Sequence, residues 1–170
     1  MSSLLPSGYR LSQGSGLDRA LLVKFMQRTY REMEPGGNYV HLAQTVEQYF
    51  SRETPLWWVE PSGESDRNVV PPLLTRTSQP IACLWLGTAV DQIRGDRHTH
   101  IFLLYVSSEH RRQGIGSALM QHAEAWARAK GDRQIGLQVF RSNQAALTLY
   151  EKLGFQPQSV WMVKPLEGEE

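Results

Sequence analysis

The stretch "SSEHRRQGIGSALMQHAEAWARAKG", Ser107–Gly131, decides the fold. It follows the β-prone run "HTHIFLLYV", His98–Val106, and passes through Gly114 and Gly116 into a helical pattern that Gly131 ends. A strand that turns into a helix leaves the first helical N–H groups without intrahelical partners, and the helix dipole favours an anion there. Gly114 and Gly116 let the backbone approach such an anion closely, and Arg111 and Arg112 bring charge-assisted donors. A lone G-x-G pattern, however, serves equally well to let a chain turn sharply. A nucleoside triphosphate loop requires G-x-x-x-x-G-K-[ST], and no lysine follows Gly116. A dinucleotide G-x-G-x-x-G fails because its third glycine falls on Leu119, and the acidic residue expected after the next strand is missing.

Working outward, "HTHIFLLYV" alternates so that His98, His100, Phe102, Leu104 and Val106 are expected on one face. It is expected to form a hairpin with "IACLWLGTAV", Ile81–Val90, across the turn "DQIRGDR". "LWWVE", Leu56–Glu60, reads as another strand, joined to that hairpin by a polar loop containing "SGESDRN" and "VVPP". Toward the amino end, "LDRALLVKFMQRTYREM", Leu17–Met33, places Leu21, Phe25 and Met26 at helical spacing and stops at "PGG". "HLAQTVEQYF", with Leu42, Val46, Tyr49 and Phe50, predicts a second, shorter helix. Glu32 and Glu34 read as a solvated helix end, although an acidic pair also suits a cationic substrate. After Gly131 the pattern predicts a strand "QIGLQVF", a helix from Ser142 or Asn143 to Gly154, and a last strand "SVWMVKP", Ser159–Pro165. This order implies an α/β (α+β) fold, with a mixed, mostly antiparallel sheet flanked by helices.

The second informative stretch is "RSNQAALTLYEKLGF", Arg141–Phe155. Ser142 or Asn143 suits the cap and Gly154 the stop. Asn143 and Tyr150 stand seven residues apart, close to two turns, so they project from nearly one face about 10 Å apart along the axis. That suits an extended ligand, although Tyr150 among Leu147, Leu149 and Leu153 also reads as a core aromatic.

Composition narrows the classes. The 170 residues are 41% hydrophobic and 21% charged, enough for one core, so residues 1–170 are read as a single domain. Eighteen basic against seventeen acidic residues leave a net charge of +1, which gives no overall attraction to nucleic acid or a membrane surface. No apolar run is long enough to span a bilayer, and the start "MSSLLPSGYRLSQGSG" lacks a leader pattern, so a soluble cytoplasmic protein is expected. The single cysteine, Cys83, lies in an apolar run and reads as a buried hydrophobe. Trp57 and Trp58 read as packing residues, His98 and His100 lack a third ligand for a metal site, and the end "EGEE" reads as a solvated tail.

Together, "LLYVSSEHRRQGIGSAL" and "SNQAALTLYEKLGF" resemble the GNAT superfamily of N-acetyltransferases, whose R/Q-x-x-G-x-G/A signature is matched by Arg111, Gly114 and Gly116. The resemblance implies acetyl-CoA as donor, and with no third ligand in sequence reach of His98 and His100 no metal is expected. It implies that backbone groups of Leu104, Tyr105 and Val106 pair with the pantetheine arm. The turn Arg111, Arg112, Gln113, Gly114, Ile115, Gly116 and Ser117 would hold the pyrophosphate, Asn143 would touch the cofactor arm and Tyr150 would lie beside its sulfur. An acetyl-CoA core over about residues 97–163 follows, with acceptor-side elements over about residues 1–60. The expected chemistry is direct attack of an amine on the thioester, with the Val106 N–H stabilising the oxyanion. Tyr150, with a reference pKa of about 10, would protonate a thiolate of about 8.5. Many relatives carry a glutamate where this chain has Phe102, which leaves His100, acting directly or through water, as the candidate base.

The carboxyl half is also similar to bacterial ribosomal-protein N-terminal-alanine acetyltransferases, although Gln138 stands where those tend to have glutamate. The expected acceptor is therefore a protein or peptide amine. The alternatives are a small amine or antibiotic, or a CoA-binding sensor or interaction module without catalysis. A homodimer through an exposed sheet edge is a further expectation.

Overall fold

The computed structural model describes residues 5–63 and 78–166. Most of the loop with "SGESDRN" and "VVPP", and the terminal "EGEE", lie outside the described residues. The chain divides into two compact units, residues 1–138 and 139–170.

In the first unit the elements run β1 (Tyr9–Gln13), α1 (Arg19–Met33), α2 (Leu42–Tyr49), β2 (Leu56–Pro61), β3 (Ala82–Val90), β4 (Arg97–Val106), α3 (Ile115–Lys130) and β5 (Ile135–Leu137). The strands form one sheet in the order β1-β2-β3-β4-β5, antiparallel throughout except for the parallel pair β4–β5. The mixed sheet is the expected one. β1 is an element that sequence reading passes over, because Tyr9 and Leu11 give its alternation only two apolar positions.

Ahead of helix α1, Ser15 and Asp18 form a capping box on the 3-10 turn Gly16–Asp18: the Ser15 N–H donates to Asp18 Oδ2 at 2.7 Å and Ser15 Oγ accepts from the Leu17 N–H at 3.3 Å. Leu22, Phe25 and Met26 of α1 are buried at i, i+3, i+4 spacing and meet Leu42, Val46 and Phe50 of the α2 region. These helices cover the sheet face that carries Trp58, Trp85, Leu103 and Tyr105. Phe25 packs edge-on to both Trp58 (5.0 Å) and Tyr105 (5.6 Å), and Phe50 packs edge-on to Trp85 (6.1 Å). Each large side chain so buried contributes roughly 1.5–3 kcal/mol. Trp57, one residue away and therefore on the other face, packs against His122 and Trp126 of α3 at 4.7 and 6.1 Å. Both tryptophans are buried, as expected, and so is the Cys83 thiol, whose pKa is driven up by burial.

The alternation expected for β4 breaks at one place. Trp85 pairs with Leu103 but Leu86 pairs with Ile101, so Phe102 is the extra residue of a β-bulge. Phe102 therefore packs against the cluster that contains Leu103 and Tyr105, touching the Trp85 ring at 4.8 Å and the Tyr49 ring at 5.7 Å. His98, His100 and Phe102 keep a common side, but the bulge puts Leu104 and Val106 on the opposite one, which corrects the expected single face. Gly87 is required here by close approach, because a Cβ there would lie 2.0 Å from the Phe102 ring.

In the second unit, α4 (Gln144–Lys152) lies inside the expected helix and is one or two residues shorter at each end. Asn143 is its N-cap, with Oδ1 accepting the Ala146 N–H at 3.2 Å. Its end is a Schellman turn: the Gly154 N–H donates to Glu151 O at 3.0 Å and the Phe155 N–H to Tyr150 O at 2.9 Å, with Gly154 at φ 89°. Two expected strands are altered. "QIGLQVF" pairs only over Ile135–Leu137, and "SVWMVKP" is not a strand. Val160, Trp161, Met162 and Val163 are 77–85% exposed, and β-branched and aromatic residues make a strand only where a neighbouring strand and a half-buried surface receive them.

Candidate active site

The first half of the site is an open strand edge. β4 pairs with β5 only from Thr99 to Ile101, against Ile135–Leu137, and among the described residues no strand pairs with Phe102–Val106 on that side. The Ser107 N–H donates inward to Ile81 O at 2.8 Å. Alternation along an antiparallel ladder therefore turns the N–H groups of Val106 and Leu104 toward the open edge. Tyr105, between them, faces the core with its ring buried.

The turn that follows begins with a 3-10 turn, Ser108–His110, and reaches α3 through Arg111, Arg112, Gln113 and Gly114. Gly114 has φ 87°, the left-handed region, and a Cβ there would meet nothing nearer than Pro6 Cγ at 4.0 Å, so the backbone angle and not crowding demands glycine. No side chain caps this helix, and the Ala118 N–H is the first to bond within it, to Gly114 O at 3.0 Å. The N–H groups of Ile115, Gly116 and Ser117 are thus without helical partners at the positive end of the dipole. Arg112 is exposed, holds φ 63° and has no ion-pair partner among the described residues.

Arg111 is placed differently from the expectation that it would grip phosphate. Its Nε donates to Val106 O at 2.7 Å, Nη2 pairs with Glu32 Oε2, and the guanidinium lies over the Tyr105 ring, 5.6 Å from its centroid. The Tyr105 hydroxyl donates to the other Glu32 oxygen at 2.7 Å. Burial first, and Glu32 second, push the Tyr105 phenol up to about 12. Glu32, exposed at the end of α1 as expected, is in addition bonded through both oxygens, a role its reading as a solvated helix end does not include. Tyr9 of β1 is a further member that sequence reading missed. Its hydroxyl lies 2.7 Å from His110 Nδ1 and donates to Gln113 Oε1 at 3.0 Å. Tyr9 and Glu32 come from strand and helix segments more than seventy residues from the turn, and no motif spacing marks such partners.

His100 sits mid-strand between Gly87 of β3 and Gly136 of β5, its ring 5.5 Å from Phe102. Burial, then the neighbouring His98, lowers its pKa below the ordinary 6.5, so the imidazole is neutral and able to accept a proton at pH 7. A cavity of about 150 Å³ lined by Asp91, Arg94, Arg97, His98, Arg133 and Gln134 lies at the opposite end of β4 from the turn.

In the second unit, Tyr150 is the third residue from the end of α4, and the Schellman turn stacks Phe155 against it at 5.6 Å. Burial raises its phenol pKa, so the hydroxyl stays protonated throughout the neutral range. Asn143 has committed Oδ1 to the helix cap and has Nδ2 to offer a ligand.

The model of the acetyltransferase (GNAT) family matches residues 23–155. N-acetyltransferase 8 of Rattus norvegicus is 30% identical over 129 residues, 72% of this chain and 52% of the relative. The [Ribosomal protein bS18]-alanine N-acetyltransferase of Escherichia coli (strain K12) is 36% identical over 72 residues, 42% of this chain and 48% of the relative. The matched stretches thus span about half the length of these two curated relatives. A predicted acetyltransferase from Clostridium acetobutylicum, crystallised with acetyl-CoA, shares the fold with a TM-score of 0.69 at 16% identity, covering 92% of this chain and 96% of that one. Among the described residues no helix is long and apolar enough to cross a membrane. A parallel strand pair that parts beside an uncapped glycine-led helix, and a family match running from within α1 past the end of α4, lead to one conclusion: the chain belongs to the acetyltransferase (GNAT) family.

Proposed function

We propose that the protein transfers the acetyl group of acetyl-CoA to a primary amine, that of a protein or peptide N-terminus, by direct attack on the thioester. The observation that carries this reading is the uncapped start of α3 directly after the open edge Phe102–Val106. The N–H groups of Ile115, Gly116 and Ser117 suit a diphosphate, and the outward N–H groups of Leu104 and Val106 suit an extended amide-bearing arm. Arg112 is the guanidinium available for the phosphates, since Arg111 is committed to Val106 and Glu32.

In the transfer, the neutral amine forms a bond to the thioester carbonyl carbon and the C–S bond breaks. The Val106 N–H takes the developing oxyanion. Tyr150 gives its proton to the departing thiolate, a role supported by a phenol that burial keeps protonated. The proton lost by the amine passes to His100, directly or through water, and the neutral state of that half-buried imidazole supports the role. Phe102 occupies the bulge with its ring in the aromatic cluster, so the base cannot come from that position. A weakly basic site favours acceptors already neutral: an α-amine near pKa 8 is about one-tenth neutral at pH 7, a lysine near 10.4 only about one part in a few thousand.

Acetyl-CoA is offered with free-N-terminus peptides, N-blocked lysine peptides and small amines while thiol release is followed. Release that depends on the free α-amine is expected. Release with small amines alone reassigns the acceptor, and binding of acetyl-CoA without acceptor-dependent release makes the protein a CoA-binding module.

A further inference from the structure

The Arg111 side chain is a feature of the turn that the phosphate reading does not absorb. It closes a ring of contacts. From Tyr105 the chain runs to Val106, whose carbonyl accepts Arg111 Nε at 2.7 Å. The Arg111 guanidinium then pairs with Glu32, and Glu32 returns to the Tyr105 hydroxyl at 2.7 Å. The connection from Val106 to Arg111 carries three backbone bonds: the Ser107 N–H to Ile81 O, the His110 N–H to Ser107 O at 2.9 Å, and the Arg111 N–H to Ser108 O at 3.4 Å. The next residue is Arg112, at positive φ, from which the chain enters the amide array. Arg111 and Glu32 are 43% and 40% exposed, and ion pairs that exposed contribute little to stability. The guanidinium is nonetheless divided between two acceptors, Nε on the Val106 carbonyl and Nη2 on one Glu32 oxygen, while the other Glu32 oxygen accepts from the Tyr105 hydroxyl.

We propose that Glu32 is a positioning residue for the acetyl-CoA site, acting through Arg111: the carboxylate holds the guanidinium on the Val106 carbonyl and so fixes the direction in which the turn delivers the N–H groups of Ile115, Gly116 and Ser117. This rests on the acetyl-CoA reading above. It assigns to α1 a part in cofactor binding, and it makes Arg111 a strut between strand and helix and not a phosphate ligand.

The test is a double-mutant cycle of Glu32→Gln and Arg111→Ala, with Arg111→Lys as a third variant. CoA affinity is read by calorimetry, KM for acetyl-CoA and kcat are read with the best acceptor, and melting temperature is monitored throughout. Glu32→Gln is expected to weaken CoA binding about tenfold and to raise KM likewise, with kcat changed less than about twofold, a coupling of ordinary size. In the Arg111→Ala background the same Glu32 change is expected to have no further effect. Arg111→Lys is expected to behave like Arg111→Ala, because an ammonium cannot hold Val106 O and Glu32 in the planar fork geometry. Tighter CoA binding by Glu32→Gln, full affinity in Arg111→Lys, or additive effects in the cycle would each overturn the strut and return Arg111 to the phosphates. If the wild-type protein takes up no CoA, the acetyl-CoA reading fails and this inference with it; if it binds CoA normally and Glu32→Gln is silent, only this inference fails.

Discussion

Gly114→Ala perturbs the turn at the point where its geometry is set by one backbone angle. At φ 87° and ψ 5° an L-residue is held in the left-handed region, and the added Cβ meets nothing closer than 4.0 Å, so the whole effect comes from the backbone. The left-handed conformation costs about 1–2 kcal/mol for a residue with a Cβ. The alanine also lowers the entropy of the unfolded chain, which returns about 0.4–1 kcal/mol. A net loss of about 1 kcal/mol follows, a fall in melting temperature of about 2–4 °C for a chain of this size. If the strain is relieved by rotating the turn, the N–H groups of Ile115, Gly116 and Ser117 leave their common direction and ligand binding suffers as well. Acetyl-CoA at about a hundred times its Kd stabilises the wild-type protein by about 2.7 kcal/mol. That corresponds to an upward shift of roughly 5–10 °C. Thermal melts of both proteins with and without the ligand measure the two quantities together. The expected outcome is a lower melting temperature and a smaller ligand shift in Gly114→Ala. An unchanged melting temperature with an unchanged ligand shift refutes the reasoning.

Arg112→Gly at φ 63° acts in the opposite direction on the same turn. Relief of about 1–3 kcal/mol of strain exceeds the entropic loss of about 0.4–1 kcal/mol, so its melting temperature rises, while the lost guanidinium weakens CoA binding. Tyr150→Phe lowers kcat by about a hundredfold, with CoA affinity nearly unchanged, and because burial raises the phenol above its ordinary 10.0 the wild-type rate shows no loss from this group below that pH. Folding stability declines as pH falls through the histidine range. His100 and His122 are both held below 6.5 by burial, so the unfolded chain binds the extra protons, and the stability present above 6.5 is lost as the pH drops below it. Chemical denaturation at pH 7.5 and 5.5 checks this, and His122→Gln should flatten the difference. Trp161→Ala changes stability by less than about 0.5 kcal/mol if the 81% exposed indole makes no strand contact. A cost of about 3–5 kcal/mol would instead reveal a buried strand in that segment.

Elements whose signals are local were legible along the chain. The glycine turn into α3, the Asn143 cap and Gly154 stop of α4, and the apolar spacing of Phe25 and Met26 each follow from backbone angles or periodicity within a few residues. The sequence also singled out the turn proposed to hold acetyl-CoA, because the glycines that lead into α3 are properties of that segment alone. Other features depend on contacts between distant segments. The bulge at Phe102 depends on the register of β3, and it moved Leu104 and Val106 to the face opposite His100. Ser159–Pro165 has strand composition, yet composition supplies no partner strand. Arg111 was legible as a cation at an anion seat, but a guanidinium takes whichever acceptors lie within reach, and those are the Val106 carbonyl and a carboxylate seventy-nine residues earlier in the chain. Hydrogen bonds between distant segments are set by where the packed sheet and α1 bring their ends together, and no spacing along the chain encodes that.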